Sequence, residues 1–179
     1  NMAVIVHPEL DYVQVEHEGE QLILAASRVA AHFKDEPKVV KKMKGFELVG
    51  RKYFPPFDLF LEQASENAFK VVADEFVGAD DGTGLVHAAP AFGETDFYVC
   101  KREGIEPVCP VDQNGRFTSE AGPFAGQFVK DADKEIMRKL KNEGKIFKQA
   151  TIRHRYPFCW RSDTPLLYKA VSTWFVAVE

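Results

Sequence analysis

A histidine and an aspartate, His87 and Asp96, stand nine residues apart in the stretch DGTGLVHAAPAFGETDFY, which runs from Asp81 to Tyr98. Brought to one place, an imidazole and a carboxylate build a small polar site. Two elements must position them. Asp81-Gly82 is a turn signal, and the β-rich apolar run Thr83 to Val86 reads as a strand. Pro90 and Gly93 break that strand. From Glu94, the acids Glu94 and Asp96 followed by Phe97, Tyr98, Val99 and then Ile105 read as a short helix with negative charge at its N-terminus. Strand, tight loop, helix is the expectation, with the strand end and the first helical turn converging. A lone histidine near a strand end is more often a hydrogen-bonded structural residue, and an aspartate in a first helical turn is more often a cap. Spacing alone therefore assigns no function.

The remaining elements follow from the same signals. Met2 to Val6, Tyr12 to Glu16 and Gln21 to Leu24 read as strands, with a turn at His17 to Glu20. Ser27 to Phe33 has helical spacing. So does Pro37 to Met43, where Pro37 suits a first helical position and Gly45 a stop. Phe46 to Tyr53 reads as a strand ended by Pro55-Pro56, and Ala68 to Val77 as another leading into the motif. Asp112 to Arg116 holds an Asn-Gly turn between short strands. Asp131 to Asn142 is the clearest helix, with Ile136, Met137 and Leu140 on one face, ended at Gly144. Lys145 to Arg155 and Val171 to Val178 are expected to supply the last strands. Many strands with a few short helices, not in strict alternation, predict a single mixed α/β (α+β) domain over residues 1–179. Its expected core is barrel-like and β, decorated with short helices.

With 179 residues, 45% hydrophobic, 28% charged and 15 Phe, the chain is long enough for a real core. No apolar run of ~18 residues is present, so no membrane span is expected. A net charge of -4 argues against indiscriminate nucleic-acid binding. Lysines and arginines nevertheless cluster, at Lys38, Lys41, Lys42 and Lys44 and at Arg153, Arg155 and Arg161. Such runs are usually solvated faces. Cys100, Cys109 and Cys159 form no disulfide framework, and Ser162 stands where a Cys-x-x-Cys pair with Cys159 would need its second thiolate. No metal and a reducing interior are expected.

The words GTGLVHAAPAFGETDFY resemble the signature of the editing domain inserted into isoleucyl-tRNA synthetase. NMAVIVHPELDYVQV at the start resembles the segment that opens that domain, and HRYPFCWRSDTPLLYKAVSTWFVAVE at the end resembles its exit segment. Three blocks in the right order span nearly the whole chain. The valyl and leucyl relatives share the GTG and the later Pro-Ala but resemble the chain less. The resemblance implies a curled, barrel-like fold and an activity that hydrolyses valine misattached to tRNA(Ile). It implies that Asp96 holds the α-ammonium group of the misattached amino acid. His87 would stand in the wall of the same pocket, there to exclude the larger substrate, to hydrogen-bond the terminal ribose or to position the water. Thr83, Gly82 and Gly84 would set the loop, and Phe92 and Gly93 would shape the pocket. The basic clusters would guide the acceptor end of tRNA.

Neither the HIGH-type and KMSKS-type motifs of the synthetic site nor a P-loop occurs. No cofactor is expected for this unit, ATP belonging to the synthetic domain of the parent protein. The expected partners are the tRNA(Ile) end carrying valine and the rest of the synthetase, in a cytoplasmic monomer. In the family a threonine-rich segment precedes the strand that here begins at Asn1. The sequence therefore reads as an excised piece holding part of the site. The alternative expectation is a silent fragment that binds the charged tRNA end without hydrolysing it.

Overall fold

The computed structural model describes residues 1–151, 155–174 and 176. Two three-stranded sheets carry the fold. The first has the order β5-β1-β6, with β1 (Ala3–Val6) parallel to β5 (Lys70–Ala73) and antiparallel to β6 (Leu85–Ala88). The second is antiparallel in the order β3-β2-β4, from β2 (Asp11–His17), β3 (Glu20–Ala25) and β4 (Lys38–Lys44). Helix α1 (Val29–His32) extends a 3₁₀ turn at Ala26–Arg28, α2 (Glu94–Arg102) follows β6, and α3 (Val129–Asn142) lies nearer the C-terminus. The mixed α/β expectation holds, and among the described residues the β core takes the form of these two small sheets.

Alternation along β1 explains the layering, because successive side chains point to opposite faces. Ala3 and Ile5 join Val72, Ala88 and, from α2, Val99 and Cys100 in one buried cluster. Val6 joins Tyr12, Ala25, Met43 and Leu48 in a second, with Val71 and Leu85 packed against it. The first sheet therefore lies between α2 and the second sheet. β6 feeds directly into α2, so the motif sits where the layers meet.

Three expectations need correction. Pro37 to Met43 is not a helix but most of β4, which pairs with β2 from Asp11↔Lys44 to Glu16↔Lys38. The β-branched Val39 and Val40 fit a pleated edge strand, and the ladder to β2 outweighs the helical leaning of the lysines. Phe46 to Tyr53 is not a strand. Its first residues form a 3₁₀ turn at Gly45–Leu48, and only Lys52 bridges to Lys70. The Glu47 carboxylate accepts the Lys44 N–H at 2.7 Å and folds the chain back. At Gly45 a Cβ would stand 1.9 Å from the His7 carbonyl oxygen, so only glycine fits this corner. Finally, no strand occurs in the described parts of Lys145 to Arg155 and Val171 to Val178, apart from residues 152–154, 175 and 177–178, which lie outside the described region. Nearby, Phe158 and Pro165 make a single bridge.

Other expectations hold with shifted ends. The first three strands and the hairpin turn are present, and Asp131 to Asn142 lies within α3. Val111 and Phe117 bridge across the Asn-Gly turn. The strand expected from Ala68 to Val77 shrinks to β5, with Phe69 at φ 58° before it. No helix among the described residues is long and apolar enough to cross a membrane.

Candidate active site

The motif is laid across both sheets, and its two ends are held differently. At the glycine end, the Gly82 carbonyl accepts from Arg28 Nε at 2.9 Å and lies 2.7 Å from His32 Nε2. The Thr83 carbonyl accepts the Ala25 N–H at 2.8 Å. The Gly84 carbonyl accepts the Tyr12 hydroxyl at 2.7 Å, and that hydroxyl accepts the His7 N–H at 3.0 Å. Gly84 has φ +76° and lies so close to β3 that a Cβ would stand 2.4 Å from the Ala25 Cβ. Thr83 and Gly84 thus stitch the motif to the second sheet. The strand begins only at Leu85, because the chain must first pass this contact.

The other end lies about 13 Å further on, four residues of extended chain away. Ala89 to Phe92 form a turn closed by Phe92 N–H to the Ala89 carbonyl at 2.8 Å. Gly93 precedes α2 and accepts the Phe97 N–H at 2.9 Å. Asp96 falls in the first turn of α2, as the sequence suggests. Its Oδ2 accepts the Ala89 N–H at 2.9 Å, tying the helix to the end of the strand. Gly93 lies against the same carboxylate, a Cβ there being 3.2 Å from Oδ2.

His87 pairs with Val4 across the first sheet. By alternation it shares a face with Leu85, whereas Ala88 points to the α2 side. No hydrogen bond joins His87 to Asp96 among the described residues. They are coupled through space instead. The charge of Asp96 acts on the His87 ring and on the Cys100 thiol. Partial burial lowers the His87 pKa below its usual value, and the charge of Asp96 opposes it. The residue is nonetheless exposed. A neutral imidazole open to solvent is the form able to accept a proton or a hydrogen bond. Burial, then Asp96 and Glu103, push the Cys100 thiol up to about 11, so this core cysteine is no nucleophile.

Two residues that sequence reasoning passed over belong to this corner. Met2 donates its N–H to the Ala88 carbonyl at 2.7 Å, which places Asn1 across from the Ala89 turn. Tyr53 donates its hydroxyl to Asn1 Oδ1. The signal for Tyr53 is the Pro55-Pro56 stop just after it, but nothing local says which strand it lies beside. Thr83 and Gly84 stand at the far end of β6, and Phe92 is half-buried in the turn. Gly93 and Asp96 therefore meet at the Ala89 turn, Tyr53 holds Asn1 across from it, His87 lies near the same strand end on the opposite face, and Thr83 and Gly84 stand at the far end against the second sheet.

A neighbouring cleft of about 520 Å³ shares Gly93 with this corner and is walled by Pro90, Phe97, Tyr98, Tyr168 and Val171. Neither His87 nor Asp96 lines it, so the apolar cleft and the polar corner are separate features. Of the clustered lysines, Lys38 pairs with Glu16 at 2.8 Å and Lys44 with Asp11 at 2.9 Å. Edge-strand lysines of this kind blunt pairing with other chains. Among the described residues, no group of three or more His, Cys, Asp or Glu is arranged to hold a metal. Of the arginine cluster, Arg153 lies outside the described residues.

The chain is 51% identical to isoleucine–tRNA ligase of Chlamydia muridarum (strain MoPn / Nigg) over 183 aligned positions, covering all of this chain and 18% of the relative. The ligases of Protochlamydia amoebophila (strain UWE25) and Chlamydia pneumoniae are 50% and 51% identical with the same coverage. The chain thus spans 18% of the length of the curated relatives it matches. No family model matches it. Among solved structures, the crystal structure of GlLeuRS-CP1 superposes with a TM-score of 0.61 at 16% identity, covering 85% of this chain and 79% of that one. At that identity the likeness shows a shared fold, that of GlLeuRS-CP1. Identity near one half along the whole chain, joined to that fold, has one reading: the chain belongs to the isoleucine–tRNA ligase family, as a segment with the fold of GlLeuRS-CP1.

Proposed function

We propose that this chain is the editing unit of an isoleucine–tRNA ligase and hydrolyses the ester that joins valine to the terminal adenosine of tRNA(Ile). The observation that carries the reading is the corner at the end of the first sheet, where the Asp96 carboxylate is fixed by the Ala89 N–H beside His87. Selection of isoleucine against valine is the standing illustration of the double sieve: a site that fits isoleucine rejects the smaller side chain poorly, so a second site must remove it.

In this reading Asp96 holds the α-ammonium group of the misattached valine. One oxygen is occupied by the Ala89 N–H, which leaves the other to the substrate. A charge-assisted bond of this kind orients the ester and distinguishes it from an uncharged acyl group. Water adds to the acyl carbon, and the bond from that carbon to the ribose oxygen breaks. The products are valine and free tRNA. His87, neutral and partly exposed, borders the acyl group and either orders the water or bounds the side-chain pocket. Gly93 leaves room at the carboxylate, and Phe92 shapes the adjoining turn. Thr83 and Gly84 contribute by fixing the start of β6. The scheme calls on water and on these side chains, with no cofactor, and assumes a cytoplasmic monomer.

The test is deacylation of valyl-tRNA(Ile) and isoleucyl-tRNA(Ile) by the 179-residue chain and by the full-length ligase. Selective loss of valine from the full-length protein, abolished by Asp96→Asn, is the expected result. Equal clearance of both esters, or clearance indifferent to Asp96, would overturn the reading.

A further inference from the structure

Tyr53 stands outside every motif in the sequence, yet its hydroxyl reaches the corner that holds Asp96. Three contacts bring it there. Lys52 bridges to Lys70 of β5, the Tyr53 N–H donates to the Phe69 carbonyl at 2.9 Å, and the Tyr53 ring meets the Phe69 ring edge-on at 6.4 Å. Phe69 is itself held in an unusual place, with φ 58° and its N–H on the Met2 carbonyl at 2.7 Å. A non-glycine residue at positive φ costs energy and persists where its surroundings over-determine it. Here the strained residue sets the ring on which Tyr53 leans.

The phenol then donates to Asn1 Oδ1, while Asn1 Nδ2 donates to the Ala3 carbonyl at 3.3 Å. Both ends of the Asn1 side-chain amide are thereby held. The next residue, Met2, binds the Ala88 carbonyl, and Ala89 supplies the N–H that fixes Asp96. Burial raises the Tyr53 pKa well above that of a free phenol, so the hydroxyl stays a donor throughout the working pH range.

We propose that Tyr53 is a positioning residue of the editing site, its hydroxyl holding the Asn1 amide at the strand end that leads, through Met2 and Ala88, to the Ala89 N–H on which Asp96 is fixed. The proposal rests on the function assigned above. Tyr53 acts through Asn1 and not through contact with the reacting atoms. Removing the hydroxyl alone leaves the ring on Phe69 and frees the Asn1 amide to turn, which loosens that strand end without unfolding the sheet. Small misplacements of this kind lower the rate of the bound complex more than they weaken binding.

The experiment compares Tyr53→Phe, Asn1→Ala, the double variant and Asp96→Asn in the full-length ligase, reading kcat and KM for valyl-tRNA(Ile) deacylation together with the melting temperature. Tyr53→Phe is expected to lower kcat about 10-fold, with KM and melting temperature near parental values. The double variant is expected to be no slower than Asn1→Ala, because both changes break one contact. Parental kcat in Tyr53→Phe, or additive losses in the double variant, would overturn the positioning role while an inactive Asp96→Asn keeps the editing function. A kcat loss that only tracks a fallen melting temperature would reduce Tyr53 to a structural residue and likewise overturn it. Full activity in Asp96→Asn would instead remove the functional reading beneath it.

Discussion

The two ends of β6 carry the same short motif and do opposite work. At the Thr83–Gly84 end every carbonyl is taken: by Arg28 and His32 at Gly82, by Ala25 at Thr83 and by the buried Tyr12 hydroxyl at Gly84. At the Ala89–Asp96 end, one bond from Ala89 fixes a carboxylate whose second oxygen has no hydrogen-bond partner among the described residues, and His87, near the end of the same strand, is exposed. A stitched end cannot rearrange around a ligand. An end held at a single point has fixed geometry and spare valence, which is what binding a charged group requires. Around one strand, the residues most easily read as a signature divide into a stitched end and an end held at a single point.

The sharpest way to break this division is Gly84→Ala. The new methyl meets Ala25 Cβ, and the backbone is in the left-handed region, so unfolding by about 3 kcal/mol or more is expected. Thermal or urea denaturation measures it. A variant as stable as the parent would mean that the glycine end is not locked.

Asp96→Asn tests the open end from the other side. An asparagine oxygen still accepts the Ala89 N–H, so the fold should stand while valyl-ester hydrolysis falls about 100-fold for want of the charge. Asp96→Ala adds the loss of that acceptor and should also cost about 1–2 kcal/mol of stability. Comparing the two variants in deacylation and in unfolding separates charge from clamp. His87→Ala should slow hydrolysis or admit isoleucine while leaving the melting temperature nearly unchanged. A drop in stability with normal editing would move His87 to the scaffold.

Tyr12→Phe is a milder cut at the stitched end. It leaves the His7 N–H and the Gly84 carbonyl without their shared partner in the interior, and about 1–3 kcal/mol of stability should go. Hydrolysis per folded molecule should persist.

The smallest effect is a pH dependence. Because His87 binds its proton less readily in the fold than in the unfolded chain, its contribution to stability is full above about pH 6.5 and declines as the pH falls through that value towards the folded pKa. If the neutral ring serves hydrolysis, activity should hold slightly below pH 6.5 before it falls, and His87→Ala should flatten that limb. A pH–rate profile of the parent and the variant checks both.

Much of this was legible in the residues. The alternation in β1, β2 and β3, the acids opening α2 and the apolar face of α3 are local patterns, and local patterns survive folding when packing agrees with them. The likeness of the motif to an editing domain came from the order of the residues alone. The failures are where a distant strand decided. Pro37 to Met43 carries helical signals but is claimed by β2, and Phe46 to Tyr53 looks extended but is turned by Glu47 and by the close approach of His7. The sequence by itself determined that His87 and Asp96 flank one turn. Only the tertiary structure decided that they have no mutual hydrogen bond among the described residues, that Gly84 packs against Ala25 of the second sheet, and that Tyr53 reaches Asn1. The physical reason is the same in each case: spacing along the chain sets which residues are neighbours within an element, while cross-strand pairing and burial set which elements become neighbours in space.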